Sequence, residues 1–149
     1  MKSFWLCFVP LFVAVDVIGL LPLFISLTSG MNKKQIRKII LQSTITALAV
    51  ALIFIAVGTG IFKLLNISVA DFMIAGGSLL FVISIRDILA ADKQPAQVDP
   101  ESVGAVPIGV PLITGPAVLT TSLLLINEHS ALITSLAIAA NILIVGIMF

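Results

Sequence analysis

Long apolar runs alternate with short polar segments along the whole chain of 149 residues. A run of about 20 apolar residues is the length that an α-helix needs to cross a bilayer core of about 30 Å. Five runs come close to that length, at about residues 4–27, 39–62, 67–85, 103–126 and 131–149. The pattern therefore predicts an all-α membrane protein with five transmembrane helices, numbered here as spans one to five and joined by short polar segments.

The composition indicates the same class of protein and excludes others. Hydrophobic residues make up 60% of the chain and charged residues only 10%, whereas a soluble domain carries about 25% charged residues. The formal net charge of +1 provides no basic surface for nucleic acid. One cysteine and one histidine are too few for an internal disulfide or a metal cluster. We therefore expect a lipid environment and neither a metal nor another cofactor.

The distribution of Lys and Arg predicts how the spans are oriented. The loops after spans one and three carry six of these residues and the opposite side carries two: Lys33, Lys34, Arg37, Lys38, Arg86 and Lys93 against Lys2 and Lys63. Positive residues concentrate in cytoplasmic loops. We therefore expect the 1–2 and 3–4 loops in the cytoplasm and the N-terminus outside.

Spans one and four differ from the others because glycine and proline interrupt both. The next loop begins 11 residues after Gly19 in the first and 12 residues after Gly115 in the second. Since the chain crosses the membrane three times between the beginning of span one and the beginning of span four, equivalent helices enter the membrane from opposite sides, which is typical of an inverted repeat in a transporter. The sequence predicts a first repeat at 1–85, a cytoplasmic linker at 86–102 and a second, incomplete repeat at 103–149. A 3+3 arrangement would need a sixth span from about position 163, beyond the last residue of the chain.

Asp16 is the only charge deep inside a predicted span. It lies about 18 Å along the helix from Phe4, near the midplane, where a carboxylate costs at least about 2.5 kcal/mol. One interpretation is a site for a coupling cation, a proton or part of the substrate. The other is a cap that accepts hydrogen bonds from N–H groups freed at a break near Gly19. The two interpretations are compatible, and the sequence leaves both open.

Broken helices expose backbone groups that can hold a small polar solute or an ion. The predicted substrate or ion site combines both breaks with nearby hydroxyls: Asp16, Gly19, Pro22, Thr114, Gly115, Pro116, Thr120 and Thr121. Alternatively, each threonine bonds back to its own helix. Gly76 and Gly77 indicate close helix packing or the wall of a cavity. Asp71 fits a capping box with Ser68, and no pair of residues in the spans is suited to catalysis, so we expect no enzyme.

Three motifs in this chain resemble those of the MarC family of integral membrane proteins. They read DVIGLLP at 16–22 with LTSG at 27–30, IAGG at 74–77, and PLITGPAVLTT at 111–121. Val17 stands where the family has proline and Ala117 where it has glycine. The resemblance implies a six-span inner-membrane protein with both termini outside, grouped with transporters of neutral amino acids.

Two hypotheses follow for the function. The first is a multi-pass secondary transporter that binds a small neutral amino acid, with a coupling cation or proton, near the midplane between broken spans one and four. The second is a non-transporting membrane protein, either a structural or assembly partner or an inactive truncated remnant. The sequence leaves open which substrate is moved and whether the chain forms a homo-oligomer.

Overall fold

The computed structural model describes residues 2–68 and 104–149 and, between them, residues 70–72, 74, 75, 77, 78, 81, 82 and 85. Five α-helices have both ends described: α1 (Lys2–Val15), α2 (Val17–Leu27), α3 (Lys33–Leu65), α4 (Pro116–Glu128) and α5 (Ala131–Met148). The described residues between 70 and 85 are helical as well. A short π-helical segment, Gly104–Ile113, precedes α4. The described residues contain no strand, in agreement with the predicted all-α class.

Among the described residues, three apolar stretches are long enough to cross a membrane. They are Lys2–Leu27, which combines α1 and α2, Lys33–Gly58 within α3, and Ala131–Met148. The π-helical segment and α4 form a fourth stretch if they are counted together, with a bend of 52° between them. These stretches match predicted spans one, two, five and four. Span three is only partly described and the linker at 86–102 lies outside the described residues, so five spans and an inverted repeat remain predictions.

The core forms where the buried stripes of α1 and α5 meet. On α1 the stripe is Cys7, Leu11 and Val15, spaced four residues apart. On α5 it repeats at intervals of three and four residues, as one face of a helix requires: Thr134, Ala137, Ile138, Asn141, Ile142 and Val145. The first and last helices of the described chain therefore share one packed seam.

Contacts at both ends of this seam fix the helix directions. Cys7 Sγ lies 3.9 Å from Thr134 Oγ1, and the rings of Phe24 and Phe149 stack with centroids 4.1 Å apart. The α1–α2 stretch therefore runs parallel to α5. Since α3 starts after a short loop that follows α2, its first turns lie beside the end of α5 and the two helices run antiparallel.

The turn between α2 and α3 is closed by side chains at both helix ends. Thr28 Oγ1 donates to the Phe24 carbonyl at 2.8 Å. Asn32 and Gln35 form a reciprocal capping box at the start of α3, with both distances 2.9 Å. These bonds satisfy backbone groups that helix ends leave without partners. They therefore fix the position at which α3 begins, and with it the position of its basic first turns.

Candidate functional site

The first break lies at Asp16 itself. α1 ends at Val15 and α2 begins at Val17, while Asp16 has left-handed backbone angles (φ 47°, ψ 57°). Its Oδ1 accepts a hydrogen bond from the Gly19 N–H at 3.2 Å. The predicted capping role is therefore confirmed. The sequence predicted the break near Gly19, but the structure has it three residues earlier. The reason is that Asp tolerates the left-handed region and can cap the following helix from there.

Gly19 makes this cap sterically feasible. A Cβ atom at this position would overlap the Asp16 Oδ2 atom. Gly19 is the third residue of α2, the position whose N–H a capping side chain commonly reaches. Glycine and aspartate therefore act as a pair, and Gly19 and Pro22 lie within α2 rather than at the break.

Asp16 faces an open side of the described structure. Asp16, Gly19 and Pro22 are all exposed, whereas Val17 and Phe24 are buried on the other side of α2. The 14 residues of α1 and the 11 residues of α2 place the carboxylate about 21 Å from one end of the stretch and about 16 Å from the other. A carboxylate at that depth is costly against lipid, so it should face a water-filled cavity or further protein.

The second break is longer and has a different cause. Val106 (φ −136°, ψ 123°) and Val110 (φ −140°, ψ 126°) are extended inside the π-helical segment. Each is followed by a proline, whose ring disfavours helical angles in the residue before it. The chain then turns at Gly115, and α4 starts with Pro116 at its first position, where proline is well tolerated.

Gly115 is confined by its surroundings and leaves the start of α4 without a side-chain cap. A Cβ atom there would lie 2.5 Å from the Pro111 carbonyl oxygen, so only glycine fits without displacement. Gly115 has no side chain, so no side-chain hydrogen bond from the N-cap residue caps the start of α4. Ala117, in that turn, is exposed. The positive end of this helix is therefore open to an acceptor from outside the described residues.

Two of the three threonines near this break, Thr114 and Thr120, donate their hydroxyl protons to the backbone. Thr114, only 1% exposed, donates to the Ala47 carbonyl of α3 at 3.1 Å. Thr120 bonds to the Pro116 carbonyl at 2.8 Å and to that of Ala117 at 3.1 Å. Thr121 is half-buried. Back-bonding within the helix, the alternative interpretation, describes Thr120, whereas Thr114 links the break to α3.

The two broken spans meet through apolar side chains. A crevice with no room for water separates α2 from the π-helical segment and the end of α5; it is lined by Leu20, Phe24, Ile108, Leu112, Ile113 and Phe149. Among the described residues, no hydrogen bond joins Asp16 to the Gly115 break. The structure thus brings the spans together, but their polar groups lie away from this crevice.

The glycine pair predicted in span three is only half described. Gly76 lies outside the described residues, and a Cβ atom at Gly77 would have no neighbour within 4 Å. At the start of the same span, the predicted capping box is present: Ser68 N–H donates to Asp71 Oδ2 at 2.8 Å, and Asp71 N–H donates to Ser68 Oγ at 3.1 Å. Within the described part of the chain, no three His, Cys, Asp or Glu side chains are grouped as metal ligands.

Asn141 is a buried polar residue that the sequence reasoning missed. It is fully buried, and its Nδ2 donates to the Phe8 carbonyl of α1 at 3.2 Å and to the Ala137 carbonyl at 3.0 Å. Its Oδ1 is buried and has no hydrogen-bond partner in the described structure. The signal was available, because Asn141 is the only amide side chain in predicted span five.

Comparison with known proteins gives a family and several relatives. Residues 1–149 match the sequence model of "MarC family integral membrane protein". A UPF0056 membrane protein of Methanocaldococcus jannaschii is 35% identical over 91% of this chain and 63% of its own length. One from Chlamydia pneumoniae is 34% identical over 78% of this chain and 59% of its own. One from Pyrococcus abyssi is 32% identical over 99% of this chain and 73% of its own length.

The chain thus spans about 60% of the length of the first two of these relatives. Their names describe them as membrane proteins and state no activity. No solved structure matches the chain.

Proposed function

The chain belongs to the MarC family of integral membrane proteins, and from the geometry of its two broken spans we propose that it is a secondary transporter of small neutral amino acids. Substrate binds near the middle of the membrane between spans one and four. Asp16 lies on one side of this site and the first turn of α4 on the other. The remaining site residues are those that the sequence predicts at the two breaks.

The observation that carries this proposal is the exposed carboxylate of Asp16 in the middle of an apolar stretch. Capping alone does not need a charge, because Asn caps a helix about as well as Asp. A neutral cap would avoid the cost of at least about 2.5 kcal/mol for a carboxylate at this depth. The charge is therefore best explained by a positive group that Asp16 meets, such as a coupling cation, a proton or the ammonium of an amino acid.

The first turn of α4 suits the other end of an amino acid. Its N–H groups have no side-chain cap, and a helix N-terminus carries about half a positive charge. Such ends bind carboxylates readily. A neutral amino acid is a zwitterion, so its ammonium matches Asp16 and its carboxylate matches α4. This pairing favours small neutral substrates over purely cationic or anionic ones.

Closure of the apolar crevice between the spans supports a transport cycle with more than one state. Asp16 and the first turn of α4 lie outside this crevice, so one substrate can bind both groups at once only when α2 and the π-helical segment move relative to each other. The left-handed residue Asp16 and the 52° bend before α4 are suitable hinges, because hinge motion concentrates at a few residues at element ends.

Uptake into liposomes tests the proposal. The full chain is reconstituted, its helical fold is checked by circular dichroism, and labelled alanine or glycine is supplied under a proton or a sodium gradient. Gradient-dependent accumulation above that of protein-free liposomes is the expected result. A folded sample that accumulates neither amino acid under either gradient would favour a non-transporting membrane protein instead.

Two matched variants test whether the charge of Asp16 takes part in transport. Asp16→Asn keeps the cap and removes the carboxylate, and we expect it to reduce gradient-dependent uptake, because the carboxylate holds either the coupling cation or proton or the ammonium of the substrate. Glu128→Gln makes the same chemical change at an exposed residue at the end of α4 and should leave uptake unchanged. Equal behaviour of the two variants would remove Asp16 from the coupling mechanism.

A further inference from the structure

A groove runs between the first turns of α3 and the end of α5. Its volume is about 340 Å³, which falls within the range of small-molecule sites. The groove is lined by Arg37, Ile40, Leu41, Thr44, Leu143, Gly146 and Ile147. All of these residues are apolar except Arg37 and Thr44, which belong to α3. The groove therefore has one charged end and one hydroxyl along a hydrophobic floor.

Gly146 sets the shape of the groove floor. A Cβ atom at Gly146 would lie 2.6 Å from Thr44 Oγ1, so a larger side chain would fill the space beside that hydroxyl. Thr44 Oγ1 is itself buried and has no hydrogen-bond partner in the described structure. Buried polar atoms normally have a partner, so this hydroxyl remains able to bond to an occupant of the groove.

The charged end of the groove lies in a basic region. Lys33, Lys34 and Arg37 are exposed. Lys33 and Lys34 precede Arg37 by four and three residues, so they extend the groove-lining face of α3 toward its start. The sequence contains no Asp or Glu between Asp16 and Asp71. No acidic residue of α3 or of the preceding turn therefore neutralises these cations.

We propose that this groove binds an anionic phospholipid. One acyl chain lies along the apolar floor, and the phosphate meets Arg37 with Lys33 and Lys34. Basic sites between membrane helices on the cytoplasmic side are suited to anionic headgroups. The acyl chain gains little over the bilayer, because lipid tails are as apolar as the groove. Selectivity must therefore come from headgroup charge.

A second copy of the chain is disfavoured as the occupant. A symmetric pair that met through this groove about an axis along the membrane normal would place the same surface of both copies together. The two clusters of Lys33, Lys34 and Arg37 would then face each other, and like charges repel. An anionic lipid instead supplies the opposite charge.

Native mass spectrometry of the full chain in detergent tests the proposal. The chain is titrated with phosphatidylglycerol and with phosphatidylcholine of identical acyl chains, and lipid-bound species are counted. We expect preferential retention of phosphatidylglycerol, which Arg37→Gln lowers roughly fivefold, as expected for one cation near an anionic headgroup. Lys63→Gln, at the opposite end of α3, is the matched control and should leave retention unchanged.

A second pair of variants tests the groove itself. Ile147 lines the groove and is 84% exposed, so Ile147→Trp should fill the groove without disturbing the core, and should lower retention at least as much as Arg37→Gln. Leu132→Trp is the control, at a residue 69% exposed near the other end of α5.

Three results would overturn the proposal. The first is equal retention of the two lipids by the parent chain. The second is unchanged retention of phosphatidylglycerol by Ile147→Trp, which would leave surface charge as the only cause of the preference for that lipid. The third is a dimer whose formation Ile147→Trp prevents. Soluble glycerol phosphate is added as a competitor, and displacement of the lipid at equal concentration would show a phosphate site that needs no acyl chain.

Discussion

At the scale of single residues, Asp16 shows the cap that the sequence predicts and keeps its charge available for the second interpretation, which remains a proposal. Its carboxylate caps α2 by accepting from Gly19, and its charge remains exposed. The sequence could identify the residue because it is the only charge deep in a span. It could not place the break, since glycine and proline nearby suggested Gly19 and Pro22, whereas the left-handed turn falls on Asp16.

Variants of Asp16 should separate the cap from the charge in stability. Asp16→Asn keeps an acceptor for Gly19 N–H and tolerates left-handed angles, so its melting temperature in detergent should equal that of the parent chain. Asp16→Ala loses the cap, at a cost of about 1 kcal/mol, together with about 1–2 kcal/mol for a left-handed alanine. Thermal unfolding followed by circular dichroism measures the difference. An unstable Asn variant with a stable Ala variant would contradict the capping role.

Asn141 gives a second prediction at this scale. Asn141→Asp replaces the Nδ2 donor by an acceptor that faces the Phe8 and Ala137 carbonyls, and it buries a charge without a partner. We expect a loss of at least about 3 kcal/mol in the free energy of unfolding. Asn127→Asp, the same change at an exposed position, should stay within about 0.5 kcal/mol. Similar losses in both variants would show that Asn141 is not held between α1 and α5.

At the scale of helices, apolar run length predicted some element boundaries, such as the end of α2 at Leu27, and missed others, such as the start of α3 at Lys33, six residues before predicted span two. The predicted start of span five and the start of α5 agree at Ala131, because the length of the apolar run and the polar loop residues before it leave few other positions at which this helix could begin. The interior of span four could be predicted only in part. Proline accounts for the extended Val106 and Val110, but the close packing of this segment on α3 depends on contacts distant in sequence.

Glycines in the π-helical segment should be essential to that packing. A Cβ atom at Gly104 would lie 2.9 Å from the Ile39 carbonyl oxygen of α3, whereas one at Gly60 would meet nothing within 4 Å. Gly104→Ala should therefore cost about 1–3 kcal/mol by overpacking. Gly60→Ala, in the exposed interior of α3, should instead stabilise by about 0.5–1 kcal/mol. Chemical denaturation in mixed micelles compares them, and a harmless Gly104→Ala would argue against the close approach.

At the scale of the whole molecule, the membrane itself limits what the sequence can predict. In water, a polar face shows which side of a helix is exposed. Here large apolar residues cover the outer surface as well, for example Leu64 at 85% and Ile18 at 73% exposure. The class and the spans could therefore be predicted, but the buried stripe of each helix, the seam of α1 with α5 and the open face at Asp16 could not.

The predicted orientation can be tested with cysteine labelling. Cys7 is the only cysteine and is buried, so Cys7→Ser gives a background without reactive thiols. In it, Asn127→Cys should react with a membrane-impermeant maleimide added to intact cells. Ser29→Cys, in the turn before α3, should react only after the cells are opened. The reverse pattern would invert the predicted topology.

The seam between α1 and α5 also cannot form before α5 has been synthesised. Cys7 and Thr134 are 127 residues apart, which a ribosome synthesising 5–20 residues per second covers in roughly 6–25 seconds. During that interval α1 contributes only apolar side chains and Cys7 to the future seam, and these tolerate lipid. Asn141, whose burial requires a partner, is on the later helix, so it enters the membrane when the Phe8 carbonyl that accepts its hydrogen bond is already there.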